Sequence, residues 1–232
     1  MRRTVAVTTA RELAFDVDEA RRVSGLLMLP DGAHALYVLA HGAGAGMAHP
    51  FMTTISTELA TRGIGTLRYQ FPYMEAGSRR PDTPKVAHAA VRAAVAEAGR
   101  RAPGLPLIAG GKSFGGRMTS QAEALEHLPG VVGLAFLGFP LHPPGKPGVE
   151  RADHLADVRI PMLFLQGTRD EFAEPDLIRP LAKRLGRRAT LHFVEAANHS
   201  FKVPAKSGRK DPEVRAELAD TFAAWIERIL KR

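Results

Sequence analysis

The chain has 232 residues, 45% of them hydrophobic and 24% charged, with no cysteine and a formal net charge of +8. Such a composition suits one globular domain, 1–232, with a sizeable core, and excludes disulfides, thiolate metal sites and a cysteine nucleophile. The longest apolar run, residues 131–141, is too short to cross a bilayer, and no signal-peptide pattern follows the basic N-terminus, so a cytoplasmic protein without membrane contact is expected.

An excess of Lys and Arg raises the question of a nucleic-acid partner. The basic residues are scattered, and no aromatic-basic platform accompanies them. A solvated surface, with no nucleic acid bound, is the expectation.

In chain order, residues 4–9 and 21–29 read as strands, an antiparallel start joined by a polar connection. Asp31-Gly32 marks a turn. The apolar run 35–40 suits a strand covered on both faces. It ends in His41-Gly42-Ala43-Gly44-Ala45-Gly46. A helix over 52–62, capped by Gly63, leads to a strand over 64–69. A long Pro-, Gly- and Arg-rich loop, 70–83, precedes an alanine-rich helix over 86–100.

A strand over 105–109 and a helix over 117–127 flank Gly110-Gly111-Lys112-Ser113-Phe114-Gly115-Gly116. Residues 131–137 form a strand and 138–148 a Pro/Gly loop. A strand over 161–166, a helix over 175–185 and a short strand over 190–194 follow. The final helix starts near Pro212, with Val214, Leu218, Phe222, Trp225 and Ile229 on one face. Alternating strands and helices predict an α/β fold, a mostly parallel central sheet with helices on both faces. In open sheets of this kind, sites form at the carboxyl ends of the strands.

Gly111-Lys112-Ser113-Phe114-Gly115 fits G-x-S-x-G, the sharp strand-to-helix turn that exposes a nucleophilic serine. Gly111-Lys112-Ser113 also resembles the end of a phosphate-binding loop. That motif needs a glycine at position 106, where Pro106 stands. A plain tight turn with Ser113 as helix N-cap is the bland alternative.

A serine needs a base, and the base an orienting carboxylate. Asp170 follows a strand directly and lies nearer its end than Glu171 or Glu174. Of nine histidines, His199 alone sits between the last strand and the last helix. The order Ser113, Asp170, His199 is that of strand-turn-helix serine enzymes. The oxyanion donors expected are the backbone N–H groups of Phe114 and Ala43. A dinucleotide-binding reading of Gly42-Ala43-Gly44 fails, since G-x-G-x-x-G would require glycine at Met47. His41 is expected to buttress this loop.

These motifs resemble those of the α/β-hydrolases, of the small lidless dienelactone-hydrolase-like kind and the predicted hydrolases typified by testis-expressed protein 30. Further points of resemblance are Arg68-Tyr69-Gln70-Phe71-Pro72-Tyr73-Met74, Gly138-Phe139-Pro140-Leu141-His142-Pro143-Pro144-Gly145, Gln166-Gly167-Thr168-Arg169-Asp170 and Asn198-His199-Ser200-Phe201. The resemblance implies an α/β-hydrolase fold without a large lid, and a triad at Ser113, Asp170 and His199. The dienelactone hydrolase nucleophile is a cysteine, so Ser113 is a departure.

The reading is thus a serine esterase or thioesterase acting on a small molecule, without cofactor or metal. The alternative is an idle interaction module on the same fold. Phe71, Tyr73, Met74, Phe139 and Leu141 are expected as pocket walls or packing residues, and Lys112 as a solvated lysine or a pocket cation facing a substrate carboxylate. Arg79, Arg80 and Lys146 are expected as a basic rim which, with Lys112, favours an anionic substrate. No oligomeric state is read from the sequence.

Overall fold

The structure, a computed structural model, describes residues 9–231. Its centre is one eight-stranded sheet: β1 Arg11–Asp18, β2 Arg21–Met28, β3 Ala35–Ala40, β4 Ile64–Tyr69, β5 Leu107–Lys112, β6 Val131–Leu137, β7 Met162–Gly167 and β8 Ala189–Val194. The order across the sheet is β1-β2-β4-β3-β5-β6-β7-β8. β1 pairs antiparallel with β2, and β2 antiparallel with β4; the other pairings are parallel.

Six α-helices connect the strands: α1 Pro50–Ala60, α2 Pro72–Glu75, α3 Pro84–Arg101, α4 Phe114–Leu125, α5 Pro175–Leu185 and α6 Asp211–Leu230. Every residue of β3, β4 and β7 is buried, as a parallel sheet covered on both faces requires. The two-residue period of a strand divides β3 between two cores. Ala35, Tyr37 and Leu39 meet Met52, Ile55 and Leu59 of α1 and Leu218, Phe222 and Trp225 of α6. Leu36, Val38 and Ala40 belong to the opposite layer, with Ala94 of α3, Met118 of α4 and Ile178 of α5. The predicted face of the last helix is the one that packs, with Ile229 partly buried at its end.

Several expectations shift. The strand expected over 4–9 lies outside the described residues except for Thr9, which is in no strand. The polar connection expected after it is instead β1, an edge strand in which only Phe15 is fully buried. Its charged residues suit a strand with one neighbour and a solvated face. The loop 70–83 contains α2, and a 3₁₀ helix spans Glu150–Ala156. The elbow strand extends to Lys112 and its helix begins at Phe114, so the glycine-rich stretch belongs to regular elements rather than to a loop.

The connections at the carboxyl edge are loops and short helices, and among the described residues no block of inserted helices acts as a lid. The ends of β3, β5, β7 and β8 deliver the His41 loop, Ser113, Asp170 and His199 to that edge.

Candidate active site

Ser113 is the N-cap of α4 and has φ 50 and ψ −115, a conformation that costs energy in a non-glycine residue. It is over-determined by close packing on both sides. A Cβ on Gly111 would lie 2.2 Å from the Ala40 carbonyl oxygen, and one on Gly115 2.5 Å from that of His41. Only glycine at both positions lets β5 and α4 approach the end of β3 this closely. The turn leaves the Ser113 side chain on the wall of an open cavity.

His199 Nε2 lies 2.8 Å from Ser113 Oγ. Its Nδ1 lies 2.9 and 2.8 Å from the two carboxylate oxygens of Asp170. An ionised carboxylate only accepts, so Nδ1 carries the proton and Nε2 presents a lone pair to the serine hydroxyl.

Asp170 is 1% exposed. Its Oδ1 also accepts from the Phe172 N–H at 2.9 Å, and its Oδ2 from Gln166 Nε2 at 2.5 Å. Gln166 is itself held, its Oε1 accepting from the Phe139 N–H. These bonds satisfy a buried charge that would otherwise be costly. The competing acids are elsewhere: Glu171 is exposed, and Glu174 binds His142 at 2.5 Å.

The His199 loop is closed on itself. Asn198 Oδ1 accepts from the backbone N–H groups of Ser200 and Lys202. Phe172 covers the imidazole, with ring centroids 4.3 Å apart.

Among the described residues the N–H groups of Ala43 and Phe114 have no acceptor. Ala43 lines the same cavity as Ser113. The loop bearing it is tied down from behind. Gly44 N–H donates to the Tyr73 hydroxyl, and Met47 N–H to Gln70 Oε1. Arg68 donates to the Met47 carbonyl. His41 is wholly buried; its Nε2 accepts from the Phe71 N–H, which leaves Nδ1–H to donate to the Gly42 carbonyl. Desolvation lowers its pKa to about 4, so it stays neutral, as a buttress needs.

Lys112 turns its Nζ into a buried position with no hydrogen-bond partner among the described residues, 5.7 Å from the Phe201 ring centroid. Burial lowers its pKa to about 8, with Asp170 and Glu171 opposing the shift.

The cavity beside Ser113 has a volume of about 640 Å³, within the ~300–1,000 Å³ common for small-molecule sites. Its walls correct the pocket expected from sequence. Phe71, Tyr73, Phe139 and Leu141 are buried in the core on the α3/α4 side of the sheet. Met74 packs against that core, and none of the five lines the cavity. Arg79, Arg80 and Lys146 are exposed and lie outside it as well.

Of the expected pocket residues, only Lys112 is there. Its companions are Pro50, Phe51 and Met52 at the start of α1, Phe172, Lys202, and Asp211 and Arg215 of α6. Sequence reasoning missed these. Gln166 had a signal, a polar residue ending a buried strand; Arg215 and Phe172 had none. Among the described residues no three His, Asp or Glu side chains converge as a metal site.

A sequence model of the alpha/beta hydrolase domain matches residues 33–227. Solved structures share the architecture at low identity. An α/β serine hydrolase without a lid from Xanthomonas campestris is 20% identical over 94% of this chain and 95% of its own, with a TM-score of 0.73. A dienelactone hydrolase from Anabaena variabilis is 18% identical over 96% and 98%, with a TM-score of 0.75. The esterase domain of a Rhodothermus marinus protein is 18% identical over 95% and 98%, with a TM-score of 0.72.

Proposed function

The chain belongs to the α/β-hydrolase family, and on that footing we propose that all of it, 1–232, forms one serine hydrolase domain cleaving a small ester or thioester. The observation that carries this reading is the unbroken hydrogen-bond chain from Ser113 Oγ through His199 to Asp170, beside two N–H groups without acceptors among the described residues.

Ser113 Oγ attacks the carbonyl carbon while its proton passes to His199 Nε2. The carbonyl oxygen becomes an oxyanion held by the N–H groups of Phe114 and Ala43. Asp170 keeps the imidazole in its Nδ1–H form and stabilises the imidazolium. The imidazolium protonates the departing alkoxide or thiolate, leaving an acyl-serine. Water, deprotonated by His199, attacks that ester and releases the acid. The buried hydrogen bonds on Asp170 fix this orientation in advance, which supports a working triad rather than an ornamental one.

A fluorophosphonate probe forms a covalent adduct with a serine activated in this way. Labelling of the wild type at Ser113, and its absence in Ser113→Ala, is expected. Turnover of an activated ester should fall by roughly 10⁴-fold or more in that variant. A Ser113→Ala protein that kept its turnover would sink the reading. A wild type that neither labels nor hydrolyses would be the idle interaction module on the same fold.

A further inference from the structure

The cavity beside Ser113 carries more cationic groups than the proposed chemistry uses. Lys112, Lys202 and Arg215 line it, against one acid, Asp211, besides the histidines His49 and His199. Two of them hold a buried donor without a partner among the described residues, Lys112 Nζ and Arg215 Nε, and of the two only the guanidinium offers a planar fork. Arg215 projects from the second turn of α6. Asp211 lies one helical turn earlier, at the spacing where an ion pair would form, yet no pair within 4.0 Å joins them. The acids of the neighbouring turns are used elsewhere: Glu217 binds His192 and Arg209, and Glu213 accepts from the Lys210 N–H.

A guanidinium group with a buried, unsatisfied N–H in a cavity wall lacks an acceptor. Arginine's planar fork matches a carboxylate, and a charge-assisted pair is stronger than a neutral hydrogen bond. Pro50, Phe51, Met52 and Phe172 give the cavity an apolar stretch of wall, beside the hydroxyl-bearing Thr54 and Ser200. Serine, apolar wall and unpaired guanidinium thus occur in one cavity.

We propose that this cavity takes the half-ester of a small dicarboxylic acid, with the ester carbonyl at Ser113, the free carboxylate on Arg215 assisted by Lys202, and the connecting carbons against Phe51 and Phe172. The inference rests on the serine-hydrolase reading and gives it a substrate class. The cations concerned are not the exposed Arg79, Arg80 and Lys146 but groups of the cavity wall itself.

The test compares 4-nitrophenyl hydrogen succinate with its neutral isostere, 4-nitrophenyl 4-methylpentanoate, on the wild-type chain. The ratio of their kcat/KM values should be about tenfold or more in favour of the charged ester at low salt. It should shrink at 1 M salt, where the Debye length is about 3 Å. In Arg215→Gln the ratio should fall about tenfold, and in Arg215→Lys it should lie between. A ratio is insensitive to the fraction of variant that folds.

A wild-type ratio of one or less, or a ratio unchanged in Arg215→Gln, overturns the proposal. So does a preference for the corresponding 3-phosphonopropanoate ester, which would assign the site to a phosphate-like anion. Failure of the underlying reading looks different: neither ester turns over and the fluorophosphonate leaves no label. In that event calorimetry with monomethyl succinate still decides. Binding by the wild type that Arg215→Gln loses supports the carboxylate site, and absence of binding by the wild type removes it.

Discussion

Directly before Ser113, the Lys112 ammonium sits buried with no hydrogen-bond partner among the described residues. Burial favours the neutral amine, so the native chain releases this proton at about 8 and the unfolded chain near 10.5. Between these values the unfolded state holds more protons, and stability rises with pH across that window. Below it the full cost of desolvating the charge is present. Lys112→Met should therefore stabilise the protein at pH 7, by on the order of 1–3 kcal/mol. The gain should shrink as pH rises beyond 8. Urea unfolding of both proteins at pH 7 and 9.5 checks this; an equal difference at the two values would show that the charge is not the cause. A residue kept at such a cost is consistent with selection for the site rather than for stability.

At the scale of elements, the loop after β3 is held by the segment that follows β4. Tyr73 takes no part in the cavity wall, but its hydroxyl receives the N–H of Gly44, next to Ala43. Under the proposed mechanism Tyr73→Phe should lower kcat by about tenfold, with KM changed much less, because a mis-set Ala43 N–H would act on the transition state. A thermal melt should register only the loss of one hydrogen bond, about 1 kcal/mol. If KM rose and kcat held, the loop would be serving binding instead.

This is also where the sequence was only partly legible. The buried parallel strands announce themselves as unbroken apolar runs, and the elbow as glycines flanking a serine. Both patterns come from constraints on the backbone, which any one sequence must obey. Phe71, Tyr73, Phe139 and Leu141 carry no mark of direction. An aromatic residue just past a strand end serves a core or a pocket equally well, and here the core beneath α3 and α4 takes all four. β1 was hidden because an edge strand with one covered face needs few apolar residues. Arg215 was hidden because a helix arginine four residues from an aspartate reads as a surface pair.

Across the whole molecule, two distant imidazoles link stability to acid. His41 supports the loop after β3, and His154 lies in the 3₁₀ helix packed on α4. Ser120 Oγ donates to the Arg117 carbonyl and so accepts from His154 Nε2–H at 2.7 Å. Burial lowers both pKa values to about 4, with Arg117 adding to the effect at His154. An unfolded histidine takes up its proton near 6.5, so the unfolded chain gains protons first on acidification. Stability contributed above pH 6.5 is lost as pH falls toward 4. His154→Gln keeps a donor for Ser120 and removes the titration. Its unfolding free energy should decline less than that of the wild type between pH 7 and 4.5, measured by urea midpoints. A decline as steep as the wild type's would place the acid sensitivity elsewhere.

The walls of the cavity come from opposite ends of the sequence, α1 early and α6 late, joined across one face of the sheet. A domain generally folds as a unit, and in synthesis Ser113 leaves the ribosome well before β8 and α6 have been made. Until then the hydroxyl has neither its base nor the far wall of its pocket, and is an ordinary alcohol. On the proposed mechanism reactivity therefore arrives last, and a prematurely terminated product is silent rather than indiscriminate.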